Sequence, residues 1–318
     1  MLGVFLTVGC SVSWAEPKSS ELLRFTFTEY HMGVDARLVV YASDQKTAED
    51  ACAEAFTKIA ELDTIMSDYR PSSELMKLCD KAGGPPVPVS PHLFKVLKMA
   101  QEVSLRSGGV FDVTVGPVVK LWRKARKTGV LPNPKDIEAA RKLVGWRKMS
   151  LDEKSQSVRL ALPGMRLDLG AIAKGYADDV AQQALKKYGI TRALVEMGGD
   201  IVVSGSPPGT DGWAVEVPNA STGKKPIELH IANRAISSSG DTEQFVVIGN
   251  KQYSHVINPK TGYALTSRVQ VTILGPTGLI ADPVSTALTL LSPSARTKLL
   301  KAYPGTVQFV RVLKPGEE

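Results

Sequence analysis

Cysteine and histidine, the side chains that most often carry thiol or metal chemistry, are scarce. The chain has three cysteines (Cys10, Cys52, Cys79) and four scattered histidines (His31, His92, His230, His255) in 318 residues. There is no CxxC pair and no HExxH, which excludes a disulfide-dense scaffold, a zinc ribbon and the common zinc hydrolases. Neither GxxxxGK[ST] nor a strand-to-helix GxGxxG is present, so the usual phosphate-binding fingerprints are missing. No internal repeat, long linker or apolar run of the roughly 20 residues needed to cross a bilayer occurs. What remains is 43% hydrophobic and 22% charged, an ordinary composition for one globular domain rather than a collagen, a disordered chain or a polytopic membrane protein.

Residues 1–15 (MLGVFLTVGCSVSWA) carry no charge, and Glu16 opens a polar stretch. This pattern predicts a secretory signal cleaved after Ala15, with the remaining domain at 16–318 exported. Thr7-Val8-Gly9-Cys10 is an alternative lipobox, in which Cys10 is acylated and anchors the protein on the outer face of the inner membrane. A buried apolar first strand is the plainer reading of the same run. Cys52 falls on an apolar stripe with Phe56, Ile59, Leu62 and Ile65, which predicts a buried thiol; a Cys52–Cys79 disulfide is left open.

β-branched, alternating segments predict strands at 24–28, 38–41, 158–162, 193–196, 201–204, 213–217, 227–231, 244–248, 269–274 and 307–312. Helical periodicity marks 48–65, 91–105, 134–143, 175–187 and 283–291. Three of these open with a capping residue before proline: Ser90-Pro91, Asn133-Pro134 and Asp282-Pro283. Helices gather in the first half and antiparallel-looking strands after residue 193, which predicts α+β architecture. The basic run KLWRKARK at 120–127 lacks a recognition motif beside it and reads as a solvated face, with no nucleic-acid partner.

Five polar or glycine-rich segments stand where ligand sites gather. DLGAIAKG (168–175) joins a strand-like stretch to a helix, where small residues and free N–H groups suit an anion and Lys174 adds charge. SGGVFD (107–112) follows a helix. MGGD (197–200) is a turn between strands, for which a bulged hairpin is sufficient. YSHVINPKTG (253–262) places His255 at the end of a short strand before a Pro/Gly turn, where a lone histidine is also read as structural. ADPVST (281–286) puts Asp282 and Thr286 on one helix face, as two oxygen ligands for a hard cation or as a simple N-cap.

In this order, the segments resemble the ApbE family, the flavin transferases that move FMN from FAD onto a protein threonine. The resemblance spans about residues 28–291, and includes MSDYRPSSEL at 66–75, SGGVFDVTVGPVVKLW at 107–122, LDLGAIAKGYA at 167–177, VEMGGDIVVSG at 195–205, SSSGD at 237–241, SHVINPKTGYA at 254–264 and ADPVSTALTLL at 281–291. It implies a single α+β domain of the flavin-binding T-fold kind, with a mixed or antiparallel sheet. Met32, Tyr69, Val110, Phe111, Asp112, Asp168, Lys174 and Ile257 match FAD-contacting positions; Ala171 (through its carbonyl), Asp282 and Thr286 match Mg²⁺ ligands.

The implied reaction is Mg²⁺-dependent, with FAD as substrate, AMP released and a threonine-bearing acceptor protein as partner. His255 is the expected base for the acceptor hydroxyl, and Tyr69 and Phe111 the expected ring-stacking platforms. An FAD pyrophosphatase and a non-catalytic flavin carrier are the competing readings. The chain departs from the family pattern at Ser285, where some members have a further metal-binding Asp. It departs again at Pro283, and at LWRKARK, which replaces an LWGFG-like continuation.

Overall fold

Alternation along β1 (Leu23–His31) and β2 (Val34–Ala42) makes an antiparallel pair, closed by Met32 and Gly33 alone. β2 is apolar on both faces because both are covered. Ala36, Leu38, Val40 and Ala42 join the main core, while Val39 and Tyr41 pack in a second cluster behind the sheet. The computed structural model describes residues 22–219, 225–240 and 245–312. The run at 1–15 with Cys10, Asp241 of SSSGD and Gln244 of the strand expected at 244–248 lie outside the described residues.

α1 (Gln45–Met66) starts at Asp44, whose carboxylate accepts the Thr47 N–H at 2.9 Å, and buries Cys52, Phe56, Ile59 and Leu62. Then come α2 (Glu74–Asp80), β3 (Val87–Pro88), α3 (Pro91–Arg106), α4 (Gly116–Thr128) and α5 (Pro134–Arg141). β4 (Met149–Asp152) and β5 (Ser157–Leu160) form a hairpin before α6 (Ala173–Lys187). Strands follow: β6 (Ala193–Met197), β7 (Asp200–Val203), β8 (Trp213–Val217), β9 (Ile227–Ile231), β10 (Arg234–Ser239), β11 (Phe245–Ile248), β12 (Lys251–Ser254) and β13 (Val269–Gly275). α7 (Gly278–Thr289), α8 (Pro293–Lys301) and β14 (Val307–Val312) complete the described chain.

The main sheet runs β1-β2-β6-β7-β10-β13-β14 with every neighbour antiparallel. α1, α6 and α7 cover one face. The β8–β9 hairpin covers the other through Trp213, Val215 and Val217. This is the α+β, single-domain architecture the segment order predicts. A third, smaller cluster joins Val118, Trp122 and Ala125 of α4 to Ile137 of α5 and to Ile257 and Ala264. Trp122 Nε1 donates to the Gly262 carbonyl at 2.9 Å, so α4 holds the loop that carries His255. Among the described residues, no helix is long and apolar enough to cross a membrane.

Several expectations are corrected. Ser90 and Asn133 do cap α3 and α5, accepting from Leu93 N at 3.3 Å and Lys135 N at 2.9 Å. Asp282 does not start a helix: α7 begins at Gly278, and Pro283 lies inside it. The cap comes from another element, for Asp179 of α6 accepts the Gly278 N–H at 2.8 Å and the Leu279 N–H at 2.9 Å. The MGGD turn is a tight two-residue connection without a bulge, with Gly198 at φ +56° and Gly199 at +87°. The strand-like stretch expected at 166–169 is no ladder strand: among the described residues it makes one isolated parallel bridge, Arg166 to Val115. Cys52 and Cys79 are both free and buried, and burial pushes their thiols up to about 12 and about 11. The basic run is helix α4, with Val118, Trp122 and Ala125 buried along one side.

Candidate active site

A cleft of about 1000 Å³ opens between the β1–β2 turn, the end of α1, the loop after α3, the start of α6, the His255 loop and α7. All twelve sequence-predicted site residues line it: Met32, Tyr69, Val110, Phe111, Asp112, Asp168, Ala171, Lys174, His255, Ile257, Asp282 and Thr286. The structure therefore brings together every segment singled out in the sequence, but it gives the side chains unequal parts.

Met32 sits at φ +51°, followed by Gly33 at +84°, a left-handed pair that a two-residue hairpin turn requires. That turn sets Met32 on the rim of the cleft, half-buried against the core. Tyr69 is 73% exposed, whereas Phe111 is only 4% exposed and belongs to the main core. Tyr69 is thus the ring free to stack, and Phe111 forms wall. The Asp112 carboxylate turns into the protein: Oδ1 accepts Thr114 N at 2.9 Å and Thr114 Oγ1 at 2.6 Å, and Oδ2 accepts Trp146 N at 2.7 Å. Burial raises this carboxyl above its ordinary value despite those bonds. Asp112 fixes the loop that carries Val110 and Phe111.

The deep end of the cleft is a charged cluster on the first turn of α6 and the middle of α7. Lys174 Nζ pairs with Asp200 Oδ2 at 2.5 Å and lies 3.9 Å from Asp282 Oδ2. Burial opposes the Lys174 charge, but the Asp200 and Asp282 carboxylates overcome it and hold the ammonium well above its usual range. Asp282 Oδ2 also accepts the Gly175 N–H at 3.1 Å. Burial, then the neighbouring Asp200, pushes the Asp282 carboxyl up to about 7. Ser237 Oγ donates to Asp200 Oδ1 at 2.5 Å; Ser239 Oγ lies 2.7 Å from Ser285 Oγ and 3.0 Å from Thr286 Oγ1.

Four participants were not among the sequence-predicted residues. Asp200 closes the Lys174 pair from the far side of the MGGD turn, whose reading as a turn left the carboxylate without a role. Asp178 is fully buried one turn beyond Lys174, with neither carboxylate oxygen hydrogen-bonded, and burial raises it well above the ordinary carboxylate range. Its i,i+4 spacing from Lys174 was the available signal. Arg123, from the basic run, reaches into the cleft to Asp68 and Asp168. Ser239, in SSSGD, joins Thr286 to the floor.

The model of the ApbE family fits residues 32–310. The chain belongs to the ApbE family. A protein of Treponema pallidum named FAD:protein FMN transferase is 30% identical over 96% of this chain and 88% of its own length. One of the same name from Haemophilus influenzae is 32% identical over 83% and 78%. The crystal structure of the Pseudomonas stutzeri flavinyl transferase ApbE, in its apo form, superposes with a TM-score of 0.81 at 25% identity, covering 93% of each chain. The Vibrio cholerae flavin transferase ApbE superposes equally well at 27% identity, covering 93% of this chain and 96% of that one.

Proposed function

We propose that this protein transfers FMN from FAD to a threonine hydroxyl of an acceptor protein, releasing AMP. The observation that carries the reading is the convergence, in one cleft, of an exposed aromatic ring, a lysine–carboxylate cluster and a half-buried histidine, in a chain of the ApbE family. The acceptor Oγ attacks the FMN-side phosphorus, the bond from that phosphorus to the bridging oxygen breaks, and AMP leaves with that oxygen. His255 takes the hydroxyl proton in its neutral form. Tyr69 stacks on the isoalloxazine ring, and Lys174 stands by the phosphates at the N-terminal turn of α6.

The residues present fit Mg²⁺. Asp282 supplies a carboxylate, Thr286 a hydroxyl and Ala171 a carbonyl, all hard oxygen donors on one cleft. Among the described residues no group of three or more His, Cys, Asp or Glu side chains gathers to hold a metal. One carboxylate beside substrate phosphates is nevertheless a normal Mg²⁺ environment. Mg²⁺ bound there supplies charge neutralisation on the pyrophosphate. Of the three carboxylates around Lys174, Asp282 is the one that lines the cleft, while Asp200 is bonded to Lys174 and Ser237 and Asp178 lies behind.

The test is mass spectrometry of a threonine-bearing acceptor domain after incubation with the protein, FAD and Mg²⁺. A covalent FMN adduct supports transfer. Free FMN with AMP points to hydrolysis instead, and unchanged bound FAD to a carrier. The uncharged run at 1–15 supports an exported location, either periplasmic or held by a lipid on Cys10. The intact mass of the mature N-terminus in cells decides between cleavage after Ala15, acylation at Cys10 and no processing.

A further inference from the structure

We propose that Arg123 is the positioning residue that presents Tyr69 to the flavin, its guanidinium backing one face of the ring and leaving the other for the ligand. The inference rests on the flavin reading above and adds to it a residue peculiar to the KLWRKARK segment. The guanidinium carbon lies 4.3 Å from the centroid of the Tyr69 ring. Tyr69 is nevertheless 73% exposed, so the contact covers one side only. Among the described residues, Tyr69 also makes a backbone N–H bond to Ser67 Oγ at 3.3 Å, which does not fix its side chain, and its hydroxyl lies within the field of Arg126. A surface tyrosine without a packed ring support samples several rotamers, and ordering it on binding costs affinity.

Arg123 itself is well held. Nη1 donates to Asp68, which follows α1, and Nη2 donates to Asp168 Oδ2 at 2.8 Å, on the segment leading to α6. Asp168 Oδ1 is further fixed by the Gly170 N–H at 2.9 Å. The preceding residue, Trp122, is buried and hydrogen-bonded to Gly262, so the helix beneath Arg123 is anchored. Two carboxylates from segments far apart in the chain thus hold a planar cation against one ring. A lysine could neutralise the acids but has no planar face to stack on the tyrosine and cannot bond both in a fixed fork.

The experiment measures equilibrium binding of FAD, FMN and AMP to the full chain by flavin fluorescence and calorimetry. The proteins compared are wild type, R123Q, R123K, Tyr69→Ala and the R123Q/Tyr69→Ala pair. We expect R123Q to weaken FAD and FMN binding about tenfold and to reduce flavin quenching in the bound state, with AMP binding unchanged. R123K recovers only part of the loss. In the Tyr69→Ala background, adding R123Q changes FMN affinity by less than twofold, because both substitutions remove the same platform. Should R123Q disturb folding, R123Q with Asp68→Asn removes one charge of each sign, restores the balance and is expected to show the same selective loss of FMN binding. Wild-type FMN affinity in R123Q, a full additional loss in the double variant, or an equal loss for AMP overturns the proposal. Wild-type protein that binds no FAD overturns the flavin reading and the inference with it. FAD binding by wild type with FMN affinity intact in R123Q overturns the inference alone.

Discussion

Gly175 and Gly278 meet backbone to backbone. A Cβ built on Gly175 would lie 2.3 Å from the Gly278 carbonyl oxygen, and one on Gly278 would lie 2.1 Å from that of Gly175. The contact locks the first turn of α6 against the first turn of α7, and so sets Lys174 beside Asp282. Gly175→Ala is therefore expected to destabilise the protein by about 1–3 kcal/mol as the helices are forced apart. It should also cost more FAD turnover than the stability loss explains. Denaturant unfolding and turnover at saturating FAD check both.

Asp282→Asn should abolish cation-dependent turnover, because a neutral amide replaces the one charged donor of the proposed metal set. The metal-free protein should melt no lower than wild type. Burial and Asp200 already disfavour the Asp282 charge, and an asparagine oxygen can still accept the Gly175 N–H. Turnover against Mg²⁺ concentration, with melting of the metal-free protein, is the measurement. Normal metal dependence in the variant would remove Asp282 from the site.

His255→Ala should leave FAD affinity within about twofold and lower transfer by about 10²–10⁴-fold, the usual value of a general base. The base serves the acceptor, not the flavin. Retained transfer would make His255 a structural member of its loop.

The pH dependence of stability carries a sign that can be checked. Burial lifts the Asp179 carboxyl to about 6, although the Gly278 and Leu279 N–H groups favour its ionised form. The same group in the unfolded chain titrates near 3.9. Between those values the folded state binds more protons, so the Asp179 contribution favours folding at low pH. It declines as pH rises through the window and is constant above it. Asp179→Asn should reduce the stability lost between pH 4 and pH 7 by about 2 kcal/mol relative to wild type. Unfolding at the two pH values in both proteins reports this, and an unchanged difference would show that Asp179 does not titrate in that range.

The sequence was most readable where chemistry and local geometry coincide. Glycine-rich turns and capped helices are decided within a few residues, so MGGD, DLGAIAKG, Ser90 and Asn133 stand where their local pattern puts them. Asp282-Pro283 misled because the α7 cap is supplied by Asp179, about a hundred residues away in sequence, and a remote cap leaves no local signature. Lys174 was visible as a charge, but its partner Asp200 became apparent only when β7 and α6 met. The three serines of β10 concealed a central strand, since their hydroxyls face Asp200, Thr272, Ser285 and Thr286 rather than water. Arg123 reads as one of five surface cations, because nothing in KLWRKARK marks Arg123 and Arg126 as the two whose helical positions turn them toward the cleft.

The bond from Trp122 to Gly262 has a bearing on how the two halves of the proposed reaction communicate. One residue of α4 grips the segment that carries the proposed base, and the next supports the ring on which the flavin would rest. The helix acts as a rigid beam pinned at both reactants. A displacement of α4 would therefore carry the support of Tyr69 and the segment behind His255 together.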